Sequence, residues 1–435
     1  MSSLRQRLER LERTPRKAPQ RQSPVGPELR RRLDRILGTG IAATVDARAA
    51  TVAPAASRPA GPPDLTRWLD AERVGVGDSS ALQVVWEFPP DHRHGKVTVG
   101  EIAASIGAGA RGLFPEHLGG FEHLHQLAFL DTETTGLAGG AGTIPFQIGV
   151  GRWHLDPERG FRVVQLFLEA PHREAALLQL LTRELEGVRC LVTYNGVGYD
   201  VPLLQNRHVL TRQPWPLGTA THLDLLPPAR ALWRTTHPDC RLGTLEASLL
   251  GFGRRGDVPG ADIPPLYRAY LAGQADPRLA AVFRHNRDDI LSLAGLLAAA
   301  GEAARCPRGA AALGVGLLQG RRGHGTLARP ALEAALRAEL PPPQRARALR
   351  ELSLTHKRAG AWQEALVRWG EMQALDPADP FPVVEAAKAL EHRLDDPAAA
   401  LSLVEQALAR GRWIPKDREA LERRQRRLLR RAGTG

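Results

Sequence analysis

Four carboxylates and one imidazole stand at spacings that would let them do chemistry together. Asp131 and Glu133 are two residues apart in LAFLDTETTGL (127–137), so on a strand their side chains leave the same face. Asp200 follows LVTYNGVGY, where an apolar run passes through Asn-Gly and a short turn to open a helix. His285 and Asp289 lie at i and i+4 in FRHNRDDILSL, which places them on one face of a helix. Each segment alone has a plainer reading: a chance acid pair, an N-cap after a turn, a solvated helix face. Together they meet the needs of in-line displacement at a phosphodiester, which takes several carboxylates around two divalent cations about 3.5–4 Å apart. Without cations, four such carboxylates would repel one another and some would keep their protons. Two Mg²⁺ or Mn²⁺ ions, hard cations that prefer oxygen, would cancel that charge.

The elements that position these groups read as α/β between residues 121 and 302. LAFLD is a buried strand ending in an acid, and IGVGRWHL and VVQLFLE complete an antiparallel meander. An amphipathic helix (REAALLQLLTRELEG), the strand LVTYN, a helix from VPLLQNRHVL and the short strand THLDLL follow, then helices up to a long one at roughly 277–300. This order predicts a mixed five-stranded sheet with its first strand central and helices on its faces. Before it, 64–120 reads as an N-terminal extension in which ALQVVWEF, PPDHRHG and KVTV form strand, turn and strand. His92 and His94 in that turn are a metal pair or, more simply, a polar turn. After it, 305–412 shows two helical hairpins offset by 33–35 residues, with EAL (364–366) echoed by AAL (399–401) and QAL (373–375) by QAL (406–408). Such spacing suggests tetratricopeptide-like repeats, against the alternative of a plain helical bundle.

The three acidic segments resemble the three exonuclease motifs of the DEDD superfamily, on the ribonuclease H-like fold. The last, His-x-x-x-Asp, matches the histidine subclass. HLDLLPPARALWR (222–234), CRLGTLEASLLGF (240–252), DVPGADIPPLYRAYL (257–271) and HNRDDILSLAGLL (285–297) are similar to a bacterial branch with a C-terminal helical-repeat region. The resemblance implies that Asp131 bridges two metals, that Glu133 and Asp289 complete the shell of one, and that Asp200 serves the other. It implies that His285 accepts the proton of the attacking water, a task suited to an imidazole that titrates near neutral pH. Members of the branch also carry Tyr at the position of His285. Asp288 is the competing ligand by sequence alone; helical spacing from His285 favours Asp289. Thr132, Asn195 and Tyr199 are the expected substrate contacts, although Asn195 and Tyr199 serve equally well to hold Asp200, and Tyr199 to pack. Asp224 is a supporting candidate at a strand end, and Gly136, Gly139, Gly140 and Gly142 make a mobile connection.

The expected activity is two-metal 3′–5′ exonucleolytic hydrolysis of single-stranded DNA or RNA to nucleoside 5′-monophosphates. The alternative is a nucleic-acid-associated interaction protein, weakly or not catalytic, that recruits a protein partner through its helical repeats. The net charge of +12 is unevenly spread over the 435 residues. Residues 1–35 hold eleven basic against four acidic side chains and 410–435 hold ten against three, so the stretch between them carries about two net negative charges. Residues 1–63 are expected to be a disordered basic region, with a short charged helix over Leu4–Arg13, and 413–435 a basic tail; both could meet polyphosphate. No apolar run is long enough to span a bilayer, and no secretory h-region opens the chain. Cys190, Cys240 and Cys306 lack metal or redox spacing, which fits reduced thiols in the cytoplasm.

Overall fold

The computed structural model describes residues 63–432 apart from 78, 121, 137–141 and 412. The expected N-terminal disorder and helix, and Gly139 and Gly140 of the glycine-rich connection, lie outside the described residues. The sheet has seven strands in the order β1-β2-β7-β6-β5-β8-β9. Its strands are β1 (Ala71–Val76), β2 (Ser79–Phe88), β5 (Leu127–Thr134), β6 (Pro145–Trp153), β7 (Phe161–Phe167), β8 (Cys190–Thr193) and β9 (Thr221–Asp224); β3 (Arg93–His94) and β4 (Val97–Thr98) form a separate short ribbon. The five expected strands are all present, with β5 central between antiparallel β6 and parallel β8. The count of five is corrected to seven, because β2 pairs with β7 and extends the meander outward. The expected partner of β2 is also corrected. β2 pairs with β1 before it, while KVTV yields only the two-residue β4 and runs into a helix.

Helices cover both faces. α1 (Val99–Ser105) opens with a capping box between Thr98 and Glu101, which satisfies backbone N–H groups that a helix start leaves free. α2 (Glu174–Glu184) and α5 (Ile263–Leu271) bury Leu177, Leu181, Leu266 and Tyr267 against Leu130, Ile148, Val164 and Leu166. On the other face α1 and α6 (Arg278–Arg305) set Ile102, Ile290, Leu293 and Leu297 against Phe129, Val163 and Val192. α3 (Asp200–Leu210) and α4 (Leu226–Trp233) follow β8 and β9. Two glycines of β6 let α6 lie close. A Cβ on Gly149 would stand 2.2 Å from the Asn286 amide oxygen, and one on Gly151 2.3 Å from Ile290 Cγ2. Any larger residue would lift the helix that carries His285 and Asp289 off the sheet.

From residue 309 onward the described chain is helical. α7 (Gly309–Arg321) pairs with α8 (Gly325–Arg337), α9 (Pro342–Arg358) with α10 (Trp362–Leu375), and α11 (Pro380–His392) with α12 (Pro397–Arg410). α7 also packs on α4, where Gly314 meets the Ala231 carbonyl so closely that an added Cβ would stand 2.6 Å from it. Most of the expected basic tail forms a helix, α13 (Pro415–Ala432). Leu421 and Leu428, two turns apart, bury against α11 and α12, and Arg424, Arg427 and Arg431 converge on the buried Glu391. Part of the terminal positive charge is therefore structural. No single helix among the described residues is long and apolar enough to cross a membrane.

Candidate active site

β5 carries four buried residues and then four half-buried ones, so its apolar half anchors in the core while Asp131 to Thr134 emerge at the carboxyl end. Ligands of open α/β sheets gather at such ends, beyond parallel strands like β5, β8 and β9. Asp131 and Glu133 continue the face of Leu127 and Phe129, and the register with β6 breaks between Glu133 and Thr134. A bulge of this kind re-aims side chains next to a site. α6 crosses that face and brings His285 and Asp289 to it. Ligand atoms of Glu133, His285 and Asp289 all lie within 4.8 Å of one another. His285 Nε2 is 3.3 Å from Asp289 Oδ2 and 3.9 Å from Glu133 Oε1. Asp289 and not Asp288 faces His285; Asp288 is held 2.7 Å from Arg287, whose guanidinium lies over Trp86.

Asp131 and Asp200 flank this trio. Asp131 Oδ2 accepts from Asn286 Nδ2 at 2.8 Å; Asn286 accepts from Gln165, and Gln165 from Trp86 Nε1 at 2.7 Å. This chain fixes the carboxylate of Asp131 from behind. Asp200 opens α3 without capping it, and its Oδ1 accepts from the Thr132 hydroxyl at 2.5 Å. The turn before it is tied by Asp224, which accepts from the N–H groups of Asn195 and Val197 and, at 2.9 Å, of Leu226. Asn195 takes a positive φ of 67° there, a conformation that Asn tolerates better than most residues. Tyr199 projects into solvent, and Tyr194 donates to the Cys240 carbonyl at 2.5 Å.

Sequence reasoning missed Asp257, Arg254, Glu246 and Asn286. Asp257 Oδ1 stands 2.8 Å from His285 Nδ1. Arg254 Nη1, which can only donate, stands 3.1 Å from the same nitrogen, so Nδ1 meets both a donor and an acceptor. In the tautomer with the proton on Nδ1, donated to Asp257, Nε2 is the nitrogen left to take up a proton on the side of Glu133 and Asp289. Arg254 binds Glu246 through two nitrogens at 2.6 and 2.9 Å and also pairs with Asp289. Behind it Ser292 donates to Glu246 at 2.5 Å and contacts His94 Nε2 at 2.8 Å. His94 is buried and stacked on Phe252, and burial pushes its imidazole down to about 3. Its ring packs on Phe252 with Nε2 engaged by Ser292, and the group of possible metal ligands found among the described residues contains neither His92 nor His94. Signals were available for part of this. Gln165 is a polar residue among the apolar neighbours Val163, Val164, Leu166 and Phe167 of its strand, whereas Arg254 and Asp257 lie in a loop without periodicity.

Burial, with repulsion from Asp289, Asp200 and Glu133, pushes the Asp131 carboxyl well above its usual range. Burial and the charges of Asp289, Asp200 and Asp257 do the same to Glu133. Burial raises Asp289 while Arg254 and His285 hold it down, and Asp200 is pushed up to about 6, mainly by burial. The cleft in front of these groups, about 560 Å³, is lined by Asp131, Tyr194, Arg254, Asp257, His285 and Asp289. A second opening of about 800 Å³ beside it is bordered by Thr132, Tyr194, Asn195, Tyr199 and Asp200.

A family model described as RNase_H superfamily matches residues 128–300. Bacillus subtilis (strain 168) has a protein named uncharacterized protein YprB that is 32% identical to this chain over 334 residues, covering 74% of this chain and 79% of that protein. The chain belongs to the RNase H superfamily. The match spans β5 to α6 and so includes all four carboxylates and His285. Domains of the RNase H superfamily generally hydrolyse phosphodiester bonds with divalent metal ions, and the residues present fit such ions. Four carboxylates raised by burial, Asp131 and Glu133 also by repulsion from the others, form a hard oxygen donor set short of positive charge. Gln147, opposite Glu133 in the β5–β6 register, is fully buried with both amide atoms unpaired, which leaves polar capacity beside the trio.

Proposed function

We propose that the chain is a metal-dependent 3′–5′ exonuclease acting on single-stranded nucleic acid, a DEDD-type member of the superfamily. The observation that supports this best is the convergence of Glu133, His285 and Asp289 beside Asp131 and Asp200, on a strand end, a helix start and a helix face. Divalent cations held by Asp131, Glu133, Asp200 and Asp289 would supply the positive charge that offsets these carboxylates and the charge that develops on the phosphodiester. His285 takes the proton of the attacking water at Nε2, and Asp257 at Nδ1 stabilises the imidazolium that results. Asn286 and Thr132 hold the carboxylates of Asp131 and Asp200 in place, and Arg254 holds Asp289. Asn195 and Tyr199, which line the second opening, would meet the terminal nucleotide. The helix pairs beginning at Gly309, Pro342 and Pro380 support a tetratricopeptide-like reading of the C-terminal region, a surface for a protein partner.

Full-length protein with Mn²⁺ or Mg²⁺ should shorten a 5′-labelled single strand stepwise from its 3′ end and release nucleoside 5′-monophosphates. A circular single strand should survive. Cleavage of the circle would overturn the exonucleolytic reading, and an Asp131→Ala protein as active as the wild type would overturn the site itself.

A further inference from the structure

A second cleft, of about 560 Å³, opens where the first C-terminal helices meet the nuclease domain. Arg230 and Arg234 reach it from the α4 side, Arg321 from the end of α7 and Arg347 from α9. All four are exposed, and none takes part in a described ion pair or hydrogen bond. No acidic side chain lines the cleft among the described residues. This is unusual for a stretch of chain that carries slightly negative net charge and pairs many of its other arginines, as Arg254, Arg207 and Arg162 show. Four guanidinium groups of one sign on one opening cost little while water solvates them, and they form a ready site for a polyanion. No aromatic side chain lines the cleft, so it offers charge to a backbone and no platform for stacking bases.

The cleft connects structurally to the catalytic one. Tyr194, which borders both openings of the active site, donates to the Cys240 carbonyl, and the Cys240 thiol reaches the Ala229 carbonyl on α4 at 3.9 Å. Ala229 immediately precedes Arg230. α4 itself begins just after Asp224, the residue that ties the turn before Asp200. We propose that the Arg230–Arg234–Arg321–Arg347 cleft binds the phosphodiester backbone of a single-stranded nucleic acid, independently of sequence, and holds the body of a substrate whose end lies in the catalytic cleft. The ligand class rests on the nuclease reading, so the test separates the two.

Binding is measured by fluorescence anisotropy on full-length Asp131→Ala protein, which cannot consume its ligand, with a labelled single strand of about 20 nucleotides. Replacing all four arginines by alanine should weaken binding by about tenfold or more at low salt. It should also flatten the slope of log Kd against log salt by about 2–3, since each phosphate contact on a single strand contributes ~0.7. The four lysine replacements should stay within about threefold of the parent, because a backbone phosphate needs charge and not a guanidinium plane. In protein with Asp131 intact, Mn²⁺-dependent hydrolysis of the p-nitrophenyl ester of thymidine 5′-monophosphate, too small to span both clefts, should be unchanged by the alanine replacements. Unaltered affinity in the alanine variant, or failure of the parent to bind the strand, would overturn the proposal. Competition by polyglutamate as strong as that by oligonucleotide would overturn it in favour of an acidic protein. If the ester is not hydrolysed but arginine-dependent binding persists, the nuclease reading fails and the cleft stands.

Discussion

The catalytic cleft and the arginine cleft handle charge in opposite ways. In the first, carboxylates are buried, crowded and raised by burial, and the two arginines described beside them are already bound: Arg254 to Glu246 and Asp289, Arg287 to Asp288. In the second, four cations are exposed and unpaired, with no acid among the residues that line it. Buried like charges cost folding energy and persist where a counter-charge arrives from outside, whereas exposed like charges cost little and await a large polyanion. The first cleft therefore calls for small, hard cations, and the second for a chain of phosphates. A nuclease needs both, since its substrate repels an acidic centre until metal offsets the charge.

The largest effect should follow from breaking the catalytic side. Asp131→Ala should reduce hydrolysis by about a thousandfold or more, ~4 kcal/mol of barrier, with circular dichroism unchanged. Arg254→Ala comes next. It strips a carboxylate that is 2% exposed, Glu246, of its two-pronged partner and should cost ~3 kcal/mol of stability in denaturant titrations. It should also lower activity by about 10–100-fold through a misplaced Asp289. The pH dependence of the metal-free protein sharpens the contrast further. Asp200 keeps its proton up to about 6 when folded but releases it near 3.8 when unfolded. Over that interval the folded state binds more protons, so stability falls as pH rises, and the cost is fully present above about 6. Asp131 and Glu133 act in the same direction. Metal-free protein should thus melt at a lower temperature at pH 8 than at pH 5, Asp200→Asn should reduce the difference, and Mn²⁺ should abolish it. The smallest effect is expected far from both clefts. Glu391→Gln weakens the hold on Arg424, Arg427 and Arg431; two of these are nearly half exposed, so ~1–2 kcal/mol of stability and no activity should be lost.

Much of the central fold was legible in the sequence because its strands are nearly continuous apolar runs and its long helix has strong periodicity. LAFLD, LVTYN and HNRDDILSL needed no partner to be recognised. β1 escaped because an edge strand with residues such as Glu72 and Arg73 facing outward has no apolar run to show. α13 escaped for a related reason: Leu421 and Leu428 are outnumbered by arginines, and only Glu391 on α11 gives that composition a packed role. In the site, i,i+4 spacing identified the face shared by His285 and Asp289. The partners that orient them could not be read this way. Asp257 and Arg254 reach His285 across 28 and 31 residues from a loop, and Asn286 matters because Gly149 on another strand makes room for it. Such relations are created by the fold and leave no local pattern.

For the site to work as a nuclease centre, the acidic cluster must hold divalent metal. Titration of Mn²⁺ into full-length protein by calorimetry at pH 8 should show saturable binding that raises the melting temperature, and Asp131→Ala should remove most of both. Binding that is absent, or that survives Asp131→Ala unchanged, would contradict it.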